Sequence, residues 1–239
     1  MKPYLLFDAG GTLVFPDIHI LKSVAESLGW NCSAHEFYQA HARVIFKLDV
    51  SLRSDAKESE PGKSFFQRLM EAVELPEEGA KEAARLLDDR NRDRSLWTFT
   101  FDWVRQTLEH LKEQGYSLSV ISNADGRVEQ QFLDLQMRHL FDKIFDSHLI
   151  GSSKPDPYIF EHALKALSLH PDEAIYIGDV FHIDVKGANR AGLRALHLDP
   201  FHFYRDWEGV RIDDISHLPG FLEQYEQHHN SRELFPFRA

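Results

Sequence analysis

Leu5-Leu6-Phe7-Asp8-Ala9-Gly10-Gly11-Thr12-Leu13 is the stretch on which the reading of this chain turns. The apolar run from Tyr4 to Phe7 predicts a short buried strand, and the glycine pair after Asp8 predicts a sharp turn. Asp8 therefore stands at the carboxyl end of a strand with pliant backbone behind it. In an open parallel sheet, ligands bind beyond the carboxyl ends of the strands, so a carboxylate in this place is a candidate nucleophile or metal ligand. Taken alone, the stretch is equally compatible with an Asp that only shapes the turn.

Three later segments answer it. Val120-Ile121-Ser122-Asn123 reads as a second apolar strand ending in small polar groups, and Ser153-Lys154-Pro155-Asp156-Pro157 sets one lysine just ahead of a proline-started helix. Ile175-Tyr176-Ile177-Gly178-Asp179 reads as a third strand ending in an acid, with Asp184 and Gly187-Ala188 following. Each group has a plain structural alternative: a turn lysine, an acid favoured by a helix dipole, polar strand ends without a ligand. Their common placement at strand ends, with Lys154 nearby, would bring them together at one edge of a parallel sheet.

In order and spacing, these four segments resemble the four motifs of the haloacid dehalogenase-like (HAD) hydrolase superfamily. The resemblance covers about the whole chain, since the segment between the first and second motifs has the length and helical pattern of that superfamily's α-helical cap. It implies a doubly wound, Rossmann-like α/β core from residues 1–15 and 99–239, an inserted cap from residues 16–98, and an active site where the two meet. It also implies a Mg²⁺-dependent hydrolase, most directly a phosphatase acting on a small phosphorylated molecule through an aspartyl-phosphate at Asp8.

The resemblance assigns the parts residue by residue. Asp8 and Asp179 would hold Mg²⁺ with the backbone carbonyl of Gly10, and Asp184 would stand behind them in the outer shell of the metal. Lys154 would neutralise Asp8 and the transferring phosphoryl group. Ser122 and Asn123 would donate hydrogen bonds to phosphate oxygens, and Thr12 would orient Asp8.

Position 10 departs from the pattern. The superfamily's phosphatases carry a second aspartate there, which protonates the leaving group and later activates water; such acid–base work is typically worth about 10²–10⁴-fold in rate. Gly10 can do neither. One reading keeps a phosphatase with a slower rate, an acidic leaving group, or a proton donor from Asp17 or His19. A second changes the chemistry: dehalogenases and phosphonoacetaldehyde hydrolases of the superfamily also lack that aspartate. The retained Gly178-Asp179 argues against a metal-free dehalogenase, and a phosphonate hydrolase would need a Schiff-base lysine, for which Lys22, Lys47, Lys57 and Lys63 are undiscriminated. A third reading is a binding or regulatory module with little turnover.

Composition sets outer bounds. The 239 residues carry 27 Lys+Arg against 38 Asp+Glu, a formal charge of −11, which opposes nucleic acid or an anionic membrane surface as a general partner. One cysteine, Cys32, excludes an intramolecular disulfide and a cysteine metal site. Without a signal-peptide pattern or an apolar run of about 18 residues, the expectation is a soluble cytoplasmic protein. The 14 histidines, including His228-His229, read mostly as surface residues. Oligomeric state is not legible.

Along the chain, helical spacing predicts helices over 18–30, 34–48, about 65–73 and 80–87, with Asp17 as the first N-cap and a polar, mobile loop from Asp49 to Lys63. No strand is expected among them. From Trp103 the pattern alternates: a helix ending at Gly115, strand 118–121, helix 126–137, strand 144–145, helix 157–168, strand 174–177, helix 182–191 and strand 194–198. Such alternation predicts a parallel sheet. The tail reads as an irregular aromatic stretch, Phe201 to Trp207, packed on the core, followed by a helix over 218–225.

Overall fold

The computed structural model describes residues 2–53, 62–227 and 235. In chain order the elements are β1 (Tyr4–Phe7), β2 (Phe15–Pro16), α1 (Ile18–Ser27), α2 (Ala34–Arg53), α3 (Phe65–Ala72), α4 (Glu77–Asp93) and β3 (Trp97–Phe99). They continue with α5 (Asp102–Glu113), β4 (Leu118–Ser122), α6 (Val128–Asp134), β5 (Lys143–Asp146), α7 (Ser147–Ile150) and α8 (Pro157–Leu167). The last are β6 (Ala174–Gly178), α9 (Lys186–Arg190), β7 (Arg194–Leu198), β8 (Val210–Ile212) and α10 (Leu218–Gln227). The chain divides into two compact units, residues 1–13 with 100–239, and residues 14–99.

The first unit holds a six-stranded parallel sheet in the order β5-β4-β1-β6-β7-β8. The strands β4, β5 and then β6, β7, β8 run outward in opposite directions from β1, so the sheet is doubly wound and its switch point lies at β1. That is where such folds bind ligands. Every residue of β4, β6 and β7 is buried, which is why these segments read as nearly unbroken apolar runs. Asp156 caps α8 by accepting from Tyr158 N–H, and Pro157 at the first helical position has no N–H to leave unpaired.

The second unit is helical. Asp17 caps α1 by accepting from the N–H groups of His19 and Ile20. Ser33 and Glu36 bond reciprocally ahead of α2, each satisfying the other's backbone N–H. Its core gathers Leu21, Phe37, Phe66, Leu69, Met70 and Leu87, with the small Ala80 and Ala83 letting α4 approach closely.

The structure corrects several expectations. As expected, no strand separates the four helices among the described residues; an antiparallel pair, β2 and β3, flanks them, a signal too short for sequence periodicity. The loop expected from Asp49 is helical as far as Arg53, and Asp49 is fully buried; residues 54–61, including Lys57, lie outside the described residues, as do His228 and His229. The helix expected over 182–191 begins as a π-helical turn, Phe181–Val185, before α9. Strand β8 lies between the aromatic stretch Phe201 to Trp207 and the last helix, where no element was expected. Tyr204 in that tail is buried, with its ring 4.4 Å from His197 and 5.1 Å from Trp207. Among the described residues, no helix is long and apolar enough to cross a membrane.

Candidate active site

Strands β4, β1 and β6 are neighbours, and their carboxyl ends carry Ser122, Asp8 and Asp179 respectively. The Asp8 N–H donates to the Ile177 carbonyl at 2.8 Å, which continues the β1–β6 ladder one residue past the strand and holds Asp8 against β6. Asp179 follows Gly178 directly, and Asp184 returns to the same place from the π-helical turn. Carboxylate oxygens of Asp8, Asp179 and Asp184 all lie within 4.8 Å of one another, and all three residues are buried. A one-turn widening of a helix commonly marks such a site, because it redirects a side chain that a regular helix would carry past it.

Lys154 enters this cluster from the segment ahead of α8. Its Nζ donates to Asp8 Oδ1, to Asp184 Oδ1 at 2.7 Å and to Tyr176 Oη at 2.8 Å. Three donors thus meet three acceptors, and the ammonium is fully committed. The Tyr176 hydroxyl accepts from Lys154 and donates to Asp184 Oδ1 at 2.8 Å, while Val180 N–H donates to Asp184 Oδ2 at 2.9 Å. Both oxygens of Asp184 are therefore satisfied by protein.

Close approach at Asp184 depends on Gly178. A Cβ there would lie 2.5 Å from Asp184 Cγ and 2.7 Å from its Oδ2, well inside contact distance. Gly187 is similar: a Cβ would come within 3.0 Å of Pro155 Cα and of the Phe160 ring, so the glycine lets α9 pack on the segment that carries Lys154.

Burial and crowding set the electrostatics. Removal from water, and the neighbouring Asp184 carboxylate, push the Asp8 carboxyl up to about 6 although Lys154 draws it down. Burial and then the charges of Asp8 and Asp184 push Asp179 well above the usual carboxylate range. Burial disfavours the Lys154 ammonium, but Asp184 and Asp8 outweigh it and hold that pKa above the ordinary lysine value. Burial and the same carboxylates raise the Tyr176 phenol far above its usual range, so it stays a hydrogen-bond donor. Three carboxylates against one ammonium leave two formal negative charges among hard oxygen donors, which fits one divalent cation.

The structure brings together Asp8, Lys154, Thr12, Asp179 and Asp184. The Thr12 Oγ1 donates to Asp179 Oδ1 at 3.3 Å. Asn123 pairs with the Lys154 backbone: its Nδ2 donates to the Lys154 carbonyl at 2.9 Å and its Oδ1 accepts from Lys154 N–H at 2.8 Å. An amide side chain that pairs with both backbone groups of one residue fixes that residue, so Asn123 seats Lys154. Ser122 ends β4 as a buried hydroxyl, and the next turn is fixed by Ser147, whose Oγ bonds both the N–H and the carbonyl of Ala124. Gly10 lies, only partly buried, in the turn after β1.

The sequence reading missed Tyr176 and His197. Tyr176 sits in an otherwise aliphatic strand, and a lone hydroxyl amid Ile175 and Ile177 is the signal that could have marked it, since a buried tyrosine needs a partner. Of the alternative residues, Asp17 is engaged as the α1 cap and His19 is exposed with its ring 5.9 Å from Phe99. Lys47 is exposed and Lys63 pairs with Glu71 at 2.9 Å.

Known proteins bear on this geometry. The family model for haloacid dehalogenase-like hydrolases matches residues 45–198, a stretch that contains Ser122, Lys154, Asp179 and Asp184 and begins after Asp8. A glyceraldehyde 3-phosphate phosphatase of Methanopyrus kandleri is 36% identical over 113 residues, 47% of this chain and 48% of that protein. The counterpart from Pyrococcus furiosus is 32% identical over 54% of this chain and 55% of its own length. The match thus spans about half the length of these relatives. A phosphoserine phosphatase of Thermus thermophilus is 27% identical over 90% of this chain and 92% of its own. Among solved structures, a HAD phosphatase from Thermococcus onnurineus superposes with a TM-score of 0.56 at 22% identity, covering 93% of this chain and 98% of that one. A 2-haloacid dehalogenase from Pseudomonas syringae gives 0.54 at 21%, over 94% of this chain and all of that one; likeness at this level concerns the fold. A sheet wound outward from β1, acids at its strand ends, and a family match over well more than half the chain make this protein a member of the haloacid dehalogenase-like hydrolase family.

Proposed function

We propose that this protein is a Mg²⁺-dependent phosphatase acting on small phosphate esters through an aspartyl-phosphate at Asp8. The observation that carries the reading is the buried cluster itself: Asp8 at the sheet's switch point, paired with Lys154 and facing Asp179 and Asp184. The relatives named as glyceraldehyde 3-phosphate and phosphoserine phosphatases support the substrate class, a small phosphorylated metabolite. In this reading residues 14–99 serve as the cap, and the protein works in the cytoplasm.

Asp8 and Asp179, with the Gly10 carbonyl, would hold the cation, and Asp184, whose oxygens are already satisfied by Lys154, Tyr176 and Val180, would support it from outside. When bound, Mg²⁺ supplies charge neutralisation for the carboxylates and the phosphoryl oxygens. A carboxylate oxygen of Asp8 attacks phosphorus as the ester P–O bond breaks, and the leaving oxygen departs with the bonding pair. Lys154 releases one of its three partners to meet the charge that gathers on the phosphoryl group. Water then attacks the phosphorus of the aspartyl-phosphate, the P–O bond to Asp8 breaks, and inorganic phosphate leaves.

With glycine at position 10, no side chain there protonates the leaving oxygen, so substrates whose leaving group is already acidic turn over fastest. The test is phosphate release with and without Mg²⁺, from an aryl and an alkyl phosphate, by the wild type, Asp8→Asn and Gly10→Asp. The expected result is metal-dependent release, faster from the aryl ester, abolished in Asp8→Asn, with Gly10→Asp raising the alkyl rate by about 10²-fold or more. Equal aryl and alkyl rates would place the proton donor elsewhere, and silence in both the wild type and Gly10→Asp would sink the phosphatase reading.

A further inference from the structure

We propose that His197 is a positioning residue for the metal-binding carboxylate Asp179, acting through that residue's backbone carbonyl. The inference rests on the proposed role of Asp179 and adds a residue that neither the motifs nor the sequence reading marked.

Strands β6 and β7 pair in parallel with Gly178 opposite His197, so the imidazole stands beside the point where β6 ends. The Asp179 carbonyl lies one residue past that end, where the strand's own ladder no longer serves it. A buried backbone carbonyl needs a donor, and His197 Nε2 provides one at 3.0 Å. A carbonyl oxygen only accepts, so the bond assigns the proton to Nε2. His197 is fully buried, with its ring 4.4 Å from Tyr204 at an interplanar angle of 76° and 5.7 Å from Phe181. Tyr204 is fixed in turn, because the Asp199 carboxylate accepts from the N–H groups of Phe203 and Tyr204 at 2.8 and 2.9 Å.

A chain of contacts thus runs from Asp199 through the 203–204 turn and the His197 ring to the Asp179 backbone. On its other side Asp179 accepts the long Thr12 hydrogen bond at 3.3 Å, and its carboxyl is crowded by Asp8 and Asp184. Where Asp179 presents its carboxylate depends on where its backbone sits, and the His197 bond holds that backbone. Groups that orient a metal ligand in this way typically contribute 10–100-fold to metal affinity. The aromatic tail, Phe201 to Trp207, is then part of the support of the site.

The test titrates Mg²⁺ against thermal unfolding of the full chain, which reads metal binding without turnover, and measures aryl phosphate release beside it. His197→Phe keeps the ring and loses the donor; its half-saturating Mg²⁺ is expected to rise at least about tenfold, with KM for the aryl phosphate at saturating Mg²⁺ moving less than about twofold. His197→Gln restores an N–H and is expected within about threefold of wild type. Tyr204→Leu keeps the donor but frees the ring, and is expected to weaken Mg²⁺ by about threefold or more, which covers the case of a His197→Phe protein that does not fold. A fall in metal-free Tm with unchanged half-saturation in His197→Phe and Tyr204→Leu would show a merely structural histidine and overturn the proposal. A wild type whose Tm ignores Mg²⁺ would overturn the metal reading and this inference together, whereas a normal wild-type response with unaffected variants overturns this inference alone.

Discussion

The α/β unit buries a lysine among three carboxylates, whereas the helical unit buries a lone imidazole, His41, among aromatic rings. Lys154 is paired with Asp8 and Asp184 and bonded to Tyr176. His41 is buried on α2, ringed by Phe15, Phe65 and Trp97 at centroid distances of 5.6–5.9 Å, and its Nε2 has no hydrogen-bond partner among the described residues. The two regions respond to burial in opposite ways. Around Lys154, opposite charges lie close enough to keep the ammonium charged. Around His41, burial lowers the pKa to about 4, so the ring stays neutral. One region stores charge where chemistry can use it; the other excludes charge and behaves as core.

The largest expected effect comes from removing the cation that balances the first region. Lys154→Met would leave Asp8, Asp179 and Asp184 buried without a counter-charge, and breaking such a buried pair typically costs about 3–5 kcal/mol. Denaturant unfolding in metal-free buffer should show that loss, and phosphate release should vanish. A variant as stable as the wild type would mean that the carboxylates simply take up protons and that the lysine is dispensable to the fold.

A smaller effect distinguishes the second region. The unfolded chain protonates His41 near its ordinary pKa of about 6.5, while the folded chain refuses the proton down to about 4. Between these values the unfolded state binds more protons, so stability falls as pH falls, by about 2 kcal/mol at pH 5. Stability measured from pH 7 to 4.5 in the wild type and in His41→Leu isolates this term. The variant should lose that part of the acid sensitivity, and parallel curves would show that His41 is protonated in the folded protein.

The smallest effect sharpens the contrast within the paired region. Tyr176→Phe removes a hydroxyl that accepts from Lys154 and donates to Asp184, but leaves both ion pairs. A loss of about 1 kcal/mol is expected by denaturant unfolding, well below that of Lys154→Met, because the charges still compensate each other. A loss as large as that of Lys154→Met would show that the hydroxyl, rather than the ion pairs, holds the cluster.

Legibility in the sequence follows the range of the interaction. Tyr4 to Phe7, Leu118 to Ile121 and Ala174 to Ile177 declare themselves as strands because burial on both faces of a parallel sheet demands unbroken apolar runs. The acids Asp8 and Asp179 stand where those runs stop, so their convergence could be anticipated from strand ends, whereas Asp184 lies in the π-helical turn and Lys154 ahead of α8. Strands β2, β3 and β8, with two to three residues each, carry too little periodicity to be seen. The insert's helices were visible through Phe37, Ala40, Val44 and Leu69, whose 3.6-residue spacing is local, but the burial of Asp49 contradicts the polar-loop reading of its neighbourhood.

The sequence by itself determined the alternation of elements, the three strand-end segments, the lysine ahead of a proline-started helix and the glycine at position 10, since each is a property of consecutive residues. Only the tertiary structure decided who touches whom: that Thr12 serves Asp179, that Asn123 seats Lys154, that Tyr176 closes the ammonium's third bond and that His197 holds a backbone carbonyl. These contacts join residues 18 to 167 positions apart in the chain, and their partners are set by sheet order and register, which no local pattern encodes.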